Sequence, residues 1–267
     1  MTVEKGRLIG QGRTAEIFEW KDNQVLKLFL EGFPAAVVQR EAQVTQAVHK
    51  AGIPVPAVEG VVEVDGRVGI VFERVEGTTM LEDMMYRPWK LGRYARIMAE
   101  LQAQMHSREI AALRSLREDL EEVIQNQAGM PDNVRHALVD ALRLPDGNSV
   151  LHGDFHPDNI IMSPRGPVII DWPEAKRGNP LADAARTWLL IRMGTPPPGT
   201  KMQWLIKLIR RWFYSMFIKH YRELRPYSEQ ELEAWRLPIV AARLFFESIP
   251  EERRDLTIFL ESHLERQ

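Results

Sequence analysis

The sequence predicts an α+β chain of two unequal lobes: a small, antiparallel, β-rich N-terminal lobe with one helix, then a larger α-helical lobe. Three observations predict it. Before residue 77 apolar residues alternate in short runs broken by glycine and Asp-Asn, the period-two signature of half-buried strands. After Gly77 the apolar period becomes helical. Two segments, SVLHGDFHPDNIIMS and GPVIIDW, then interrupt the helices, the first with a dense polar stretch, HGDFHPDN (152–159), between the apolar runs SVL and IIM. The boundary falls in VEGTT (75–79), giving lobes of 1–76 and 77–267.

Taken in order, GRLIGQG, TAEIFEW and QVLKLFL read as three strands of a meander, the last two joined by the turn KDN. In PAAVVQREAQVTQAVHKAG, Val37, Val44, Ala47 and Val48 fall on a helical spacing, and Gly52 is a stop signal. The prolines of IPVPAV hold that stretch extended. VVEV-DG-RVGIVFERV is a hairpin with Asp65-Gly66 as its tight turn. LGRYARIMAELQAQMHS, LRSLREDLEEVIQNQ, NVRHALVDALRL, PLADAARTWLLIRM and residues 202–221 are amphipathic or core helices, and two more follow.

Composition excludes several classes. The 267 residues are 45% hydrophobic and 27% charged, ordinary for a globular protein. The formal net charge of −2 offers no global basic field for nucleic acid or an anionic membrane. Cysteine is absent, which removes disulfides, thiolate nucleophiles and cysteine metal sites, and fits a cytoplasmic protein. MTVEKGRLIGQGRTAEIF lacks the apolar core of a signal peptide. The most apolar helix, 202–221, is interrupted by Lys207, Arg210, Arg211 and Lys219, so no membrane span is expected.

Four constellations carry chemistry. Gly10 and Gly12 in GQGRTA lie between two predicted strands. A glycine loop at a hairpin tip lets backbone N–H groups approach phosphate oxygens; a plain turn fits as well. Lys27 interrupts an apolar strand, and Glu41 on the next helix could partner it; a solvated lysine is the competing reading. His152, Asp154 and Asn159 fit H-x-D-x-x-x-x-N, a loop presenting first a carboxylate for an attacking hydroxyl, then an amide oxygen for Mg²⁺. The same stretch also reads as H-x-D-x-H, with His152, Asp154 and His156 as transition-metal ligands of a hydrolase, or as a structural turn. Asp171 directly follows a buried strand, a costly place for a carboxylate without a partner or a metal. One short hairpin separates it from Asn159, so the two could share one Mg²⁺. The order of these parts is that of a kinase fold.

Here the chain resembles the aminoglycoside phosphotransferase and choline kinase-like family, through HGDFHPDN followed by VIIDW and through GNPLADAA (178–185). The resemblance spans roughly residues 5–190 and implies a protein kinase-like bilobal fold. It implies an ATP-dependent kinase, with GTP as the other candidate donor, acting on a small-molecule hydroxyl of aminoglycoside-, choline- or sugar-like type. Asp154 would be the catalytic base, and His152 would orient its loop. Asn159 and Asp171 would hold Mg²⁺. Lys27, braced by Glu41, would meet the nucleotide phosphates, with Gly10 and Gly12 above them. The backbone of Glu73 and Val75, in FERVEG, would meet the adenine, and Asp183 would anchor the catalytic loop from within.

The chain departs from the family at Ala15, Pro173 and Asn179. His156 and His106 receive no chemical role. Glu229, Glu231, Glu233, Glu247, Glu251 and Glu252 could draw a cationic acceptor, although a solvated helix face explains most of them. A nucleotide-binding regulatory module without turnover is the remaining alternative, and the oligomeric state is open between monomer and homodimer.

Overall fold

A computed structural model describes residues 5–126, 130–194, 202–244 and 250–264. The chain divides into two compact units: residues 1–83 with 158–173, and residues 84–157 with 174–267.

The first unit is built on a five-stranded antiparallel sheet of β1 (Leu8–Gln11), β2 (Ala15–Glu19), β3 (Gln24–Phe29), β4 (Val58–Val64) and β5 (Arg67–Glu73), in the order β1-β2-β3-β5-β4. The helix α1 (Ala35–Lys50) lies between β3 and β4 in sequence. Local chemistry sets the turns: Asn23 closes KDN at φ 58°, and Asp65 and Gly66 take φ 52° and 73°, the paired left-handed conformation of a tight hairpin. Gly52, at φ 77°, follows α1.

Strand alternation then sorts the side chains. Leu26 and Leu28 join Phe18, Val64 and Val71 in one apolar cluster. Phe29 joins Ala15, Val38, Ala42 and Ile70 in the other, together with α1. Lys27 shares the α1 side with Phe29 because residues two apart share a face.

The buried face of α1 differs from the apolar spacing in its sequence. It is Val38, Glu41, Ala42, Thr45 and Val48, while Val37 is exposed. Glu41 and Thr45 belong to the inward stripe, so a count of apolar residues alone places that stripe one residue off.

β6 (Thr78–Thr79) leads into α2 (Met80–Tyr86). β6 also completes a three-stranded sheet with two later strands of this unit, β8 (Ile160–Ser163) and β9 (Gly166–Ile169).

The second unit is helical: α3 (Leu91–His106), α4 (Leu116–Asn126), α5 (Asp132–Ala141), α6 (Pro180–Met193), α7 (Gln203–Leu224), α8 (Glu229–Ala242) and α9 (Pro250–Leu264). A two-stranded ribbon of β7 (Ser149–Leu151) and β10 (Lys176–Gly178) runs among them. α3 buries Tyr94, Met98, Leu101 and Met105 with the polar Gln102 and His106. α7 packs along it through Phe213, Phe217 and Tyr221. α6 starts at Pro180 behind an Asn179 N-cap, whose side-chain oxygen accepts the Leu181 N–H at 2.9 Å. No helix among the described residues is long and apolar enough to cross a membrane.

Candidate active site

In the first unit the structure brings together three charged residues that are far apart in sequence. Lys27 Nζ donates to Glu41 Oε1 at 2.7 Å and to Asp171 Oδ1 at 2.8 Å. Glu41 is 3% exposed, the single charged side chain on the buried stripe of α1. Burial works against the charge on Lys27, but the Asp171 and Glu41 carboxylates outweigh it and raise its pKa. On Glu41 burial wins over Lys27 and pushes the carboxyl above the usual range. Removing one partner strands the other: Lys27→Met is expected to destabilise the fold by about 3–5 kcal/mol, read as a lower midpoint in urea. Glu41→Gln, which leaves Lys27 beside Asp171, should cost less.

Asn159 and Asp171 flank the β8–β9 hairpin at its open end. The register pairs Ile160 with Ile169, and Asn159 O accepts the Ile170 N–H at 3.0 Å. Asp171 has φ 66°, a left-handed conformation uncommon outside glycine but tolerated best by Asp and Asn. Asn159 is buried and Asp171 half-exposed. An amide oxygen and a carboxylate are hard donors that fit Mg²⁺, which needs few protein ligands when phosphates and water complete its shell.

Gly10 and Gly12 lie at the β1–β2 hairpin, closed by the Gly12 N–H donating to Ala15 O at 2.8 Å. Ala15 is a buried core residue. Glu73 ends β5, with its side chain paired to Arg165 and its N–H bonded to Ala57 O. Val75 follows, half-buried, just after β5.

The second unit carries His152 and Asp154. His152 is fully buried, and its Nδ1 accepts the Asp154 N–H at 3.2 Å. Asp154 lies 3.5 Å from His156 Nε2. Burial favours the neutral acid, but His156, then His152 and Arg186, outweigh it and hold the Asp154 carboxyl well below the usual range. A negative oxygen is therefore available at any physiological pH. His156, given no role from sequence, is thus a neighbour of the Asp154 carboxylate. Among the described residues no three His, Cys, Asp or Glu side chains are grouped to hold a metal, so His152, Asp154 and His156 do not form a ligand set.

Gly153 takes φ 79°, and a Cβ there would sit 2.7 Å from Glu174 O. Its N–H donates to Asp183 Oδ1 at 2.8 Å. These features account for glycine at that position and tie the loop to α6.

A model of the phosphotransferase enzyme family, APH, matches residues 5–227. The chain belongs to this family. It is accordingly a small-molecule kinase with the α+β kinase-like fold. Among solved structures this kinase is similar to an aminoglycoside-3'-phosphotransferase of type VIII, at 18% identity and TM-score 0.57, over 89% of this chain and 91% of that one. It is also similar to amicoumacin kinase in complex with AMP-PNP and Ca²⁺, at 12% identity and TM-score 0.61, over 98% and 89%. A third is an aminoglycoside phosphotransferase from Streptomyces rimosus in complex with ADP and streptomycin, at 17% identity and TM-score 0.55, over 85% and 89%. No curated protein sequence matches the chain.

Two features of this kinase escaped the sequence reading. Lys27 touches Asp171 directly, a contact across 144 residues that no spacing announces. His106 meets Asp183 in the core and Tyr221 meets His106, signalled only by polar groups on otherwise apolar helix faces.

Proposed function

We propose that this kinase moves the γ-phosphoryl group of ATP to a hydroxyl of a small molecule. The hydroxyl oxygen forms a bond to the γ-phosphorus, the bond from that phosphorus to the β–γ bridging oxygen breaks, and ADP leaves. The hydroxyl proton passes toward the Asp154 carboxylate. Asp154 aligns the acceptor oxygen, and His152 holds the loop backbone. Lys27, fixed by Glu41, meets phosphate oxygens beneath the hairpin of Gly10 and Gly12, and the backbone of Glu73 and Val75 meets the adenine. Mg²⁺ held by Asn159 and Asp171 would offset charge on the phosphates. Positioning and fixed charge supply most of the rate, as in other phosphoryl transfers.

The observation that carries this reading is the Lys27–Glu41–Asp171 cluster, because it joins the strand lysine to the carboxylate beside Asn159. The nucleotides in two of the similar structures support a purine nucleotide donor, with ATP preferred and GTP as the alternative. In functional terms residues 1–76 form the nucleotide lobe, and 77–267 supply the catalytic loop, metal ligands and acceptor helices. The ATP donor goes with a cytoplasmic setting.

The acceptor is a hydroxyl compound of aminoglycoside-, choline- or sugar-like type. The acids of α8 contribute little to a cationic subsite. Glu229 pairs with Arg222 and Arg236, Glu233 pairs with Arg236, and Glu231 forms a capping box with Ser228. Glu247 lies outside the described residues, as do the side chains of Glu251 and Glu252. The test is ADP release across aminoglycosides, choline-like amines, sugars and amino alcohols. At least one should raise the rate above that without acceptor. Stabilisation by ATP and Mg²⁺ with no transfer to any of them would instead mark a regulatory module.

A further inference from the structure

Gly153, just before Asp154, is gripped by α6 through both its backbone N–H and its backbone C=O. Gly153 N–H donates to Asp183 Oδ1 at 2.8 Å, and Arg186 Nε donates to Gly153 O at 2.9 Å. Asp183 and Arg186 are one helical turn apart and face the same way. The direction in which the loop presents Asp154 therefore depends on how firmly Asp183 is held.

Asp183 is 2% exposed, and its second oxygen is held from two sides. Gln102 Nε2 donates to Oδ2 at 2.9 Å, and His106 Nε2 lies 3.0 Å from the same atom. On the far side of the imidazole, His106 Nδ1 lies 2.6 Å from the Tyr221 hydroxyl. His106 and Tyr221 are buried and meet edge to face, with ring centroids 5.6 Å apart. One residue each from α7, α3 and α6 thus forms a chain that ends on Gly153.

The proton positions in that chain follow from its chemistry. Burial works against the Asp183 charge, but His106, Gly153 and Gln102 outweigh it and keep the carboxyl ionised. An ionised carboxylate only accepts, so His106 Nε2 carries a hydrogen. Burial also holds the imidazole neutral despite Asp183, which leaves Nδ1 as an acceptor. Burial raises the Tyr221 phenol, so its O–H remains to donate to Nδ1. One arrangement satisfies all three groups: Tyr221 O–H to Nδ1, then Nε2–H to Asp183.

We propose that Tyr221 and His106 are positioning residues for phosphoryl transfer: they fix the Nε2–H tautomer, which steadies Asp183, which in turn holds the Gly153 N–H and sets the aim of Asp154. The proposal rests on the reading of Asp154 as the base. Neither residue touches substrate in it; both act through Asp183 and the Gly153 N–H. Without the Tyr221 hydroxyl, Nδ1 is a buried acceptor with no donor, and the tautomer is no longer imposed.

Three measurements test it. In the wild-type protein the ring ¹⁵N signals of His106 should show an unprotonated Nδ1 and a protonated Nε2 at neutral pH. The opposite tautomer, or an imidazolium, would overturn the proposal whatever the variants do. Tyr221→Phe keeps the aromatic packing against Phe217 and should lower kcat about tenfold, with the nucleotide KM unchanged. His106→Gln retains a donor for Asp183 and an acceptor for Tyr221, and should keep most of the kcat that His106→Leu loses. Unchanged kcat in Tyr221→Phe, or equal losses in the Gln and Leu variants, would overturn it. Asp154→Asn run alongside separates the two claims: turnover retained there rejects the role of Asp154, while the ring signals still decide the tautomer.

Discussion

Asp154→Asn lowers kcat by about 10³-fold while nucleotide affinity stays at the wild-type value. Asparagine keeps the shape of the side chain and removes the charge that would receive the acceptor proton. Lys27 and Glu41, the residues assigned to the nucleotide, keep their own ion pair. The effect should appear in kcat alone, because the missing interaction belongs to the transition state. His156 and His152 depress the carboxyl against the pull of burial, so the acid limb of the wild-type profile should fall below the ordinary carboxylate range. An acid limb near the unperturbed carboxylate value would contradict this electrostatic account.

Asp171→Asn is expected to be nearly as damaging, for a different reason. It removes the carboxylate from the proposed Mg²⁺ ligands and from Lys27 together. Loss of a group that merely supports a ligand typically reduces metal affinity or activity 10–100-fold, so replacing the ligand itself should lower activity by at least about 100-fold. The Mg²⁺ concentration for half-maximal rate should rise as well. Lys27 keeps Glu41, so the fold should survive. A variant with normal Mg²⁺ dependence would remove Asp171 from the metal site.

Much of this was legible in the sequence where local chemistry decides. Asp65-Gly66 and Asn23 announce their turns through left-handed conformations that few other residues adopt cheaply. The long helices announce themselves through period. Elements of two or three residues carry no period, which is why β6 and β10 went unread. The rotation of α1 was missed because Glu41 and Thr45 lie on its inward stripe. The candidate site followed a similar division. The residue types and their order were visible, since each carboxylate or amide stood beside an apolar strand. Contacts closed by tertiary packing were not: Lys27 to Asp171, His156 to Asp154, and Tyr221 through His106 to Asp183. One signal was present and overlooked. Ser228 followed three residues later by Glu231 is a capping box, which explains one of the C-terminal acids without any ligand.

The most direct test of phosphoryl transfer to a small-molecule hydroxyl uses ATP labelled in its γ-phosphoryl oxygens. The protein, Mg²⁺ and the acceptor panel are incubated together, and the products are identified by mass. The account predicts a phosphate ester of one acceptor carrying the label, formed in step with ADP. Label recovered only as inorganic phosphate, or remaining in ATP with every acceptor, would contradict it.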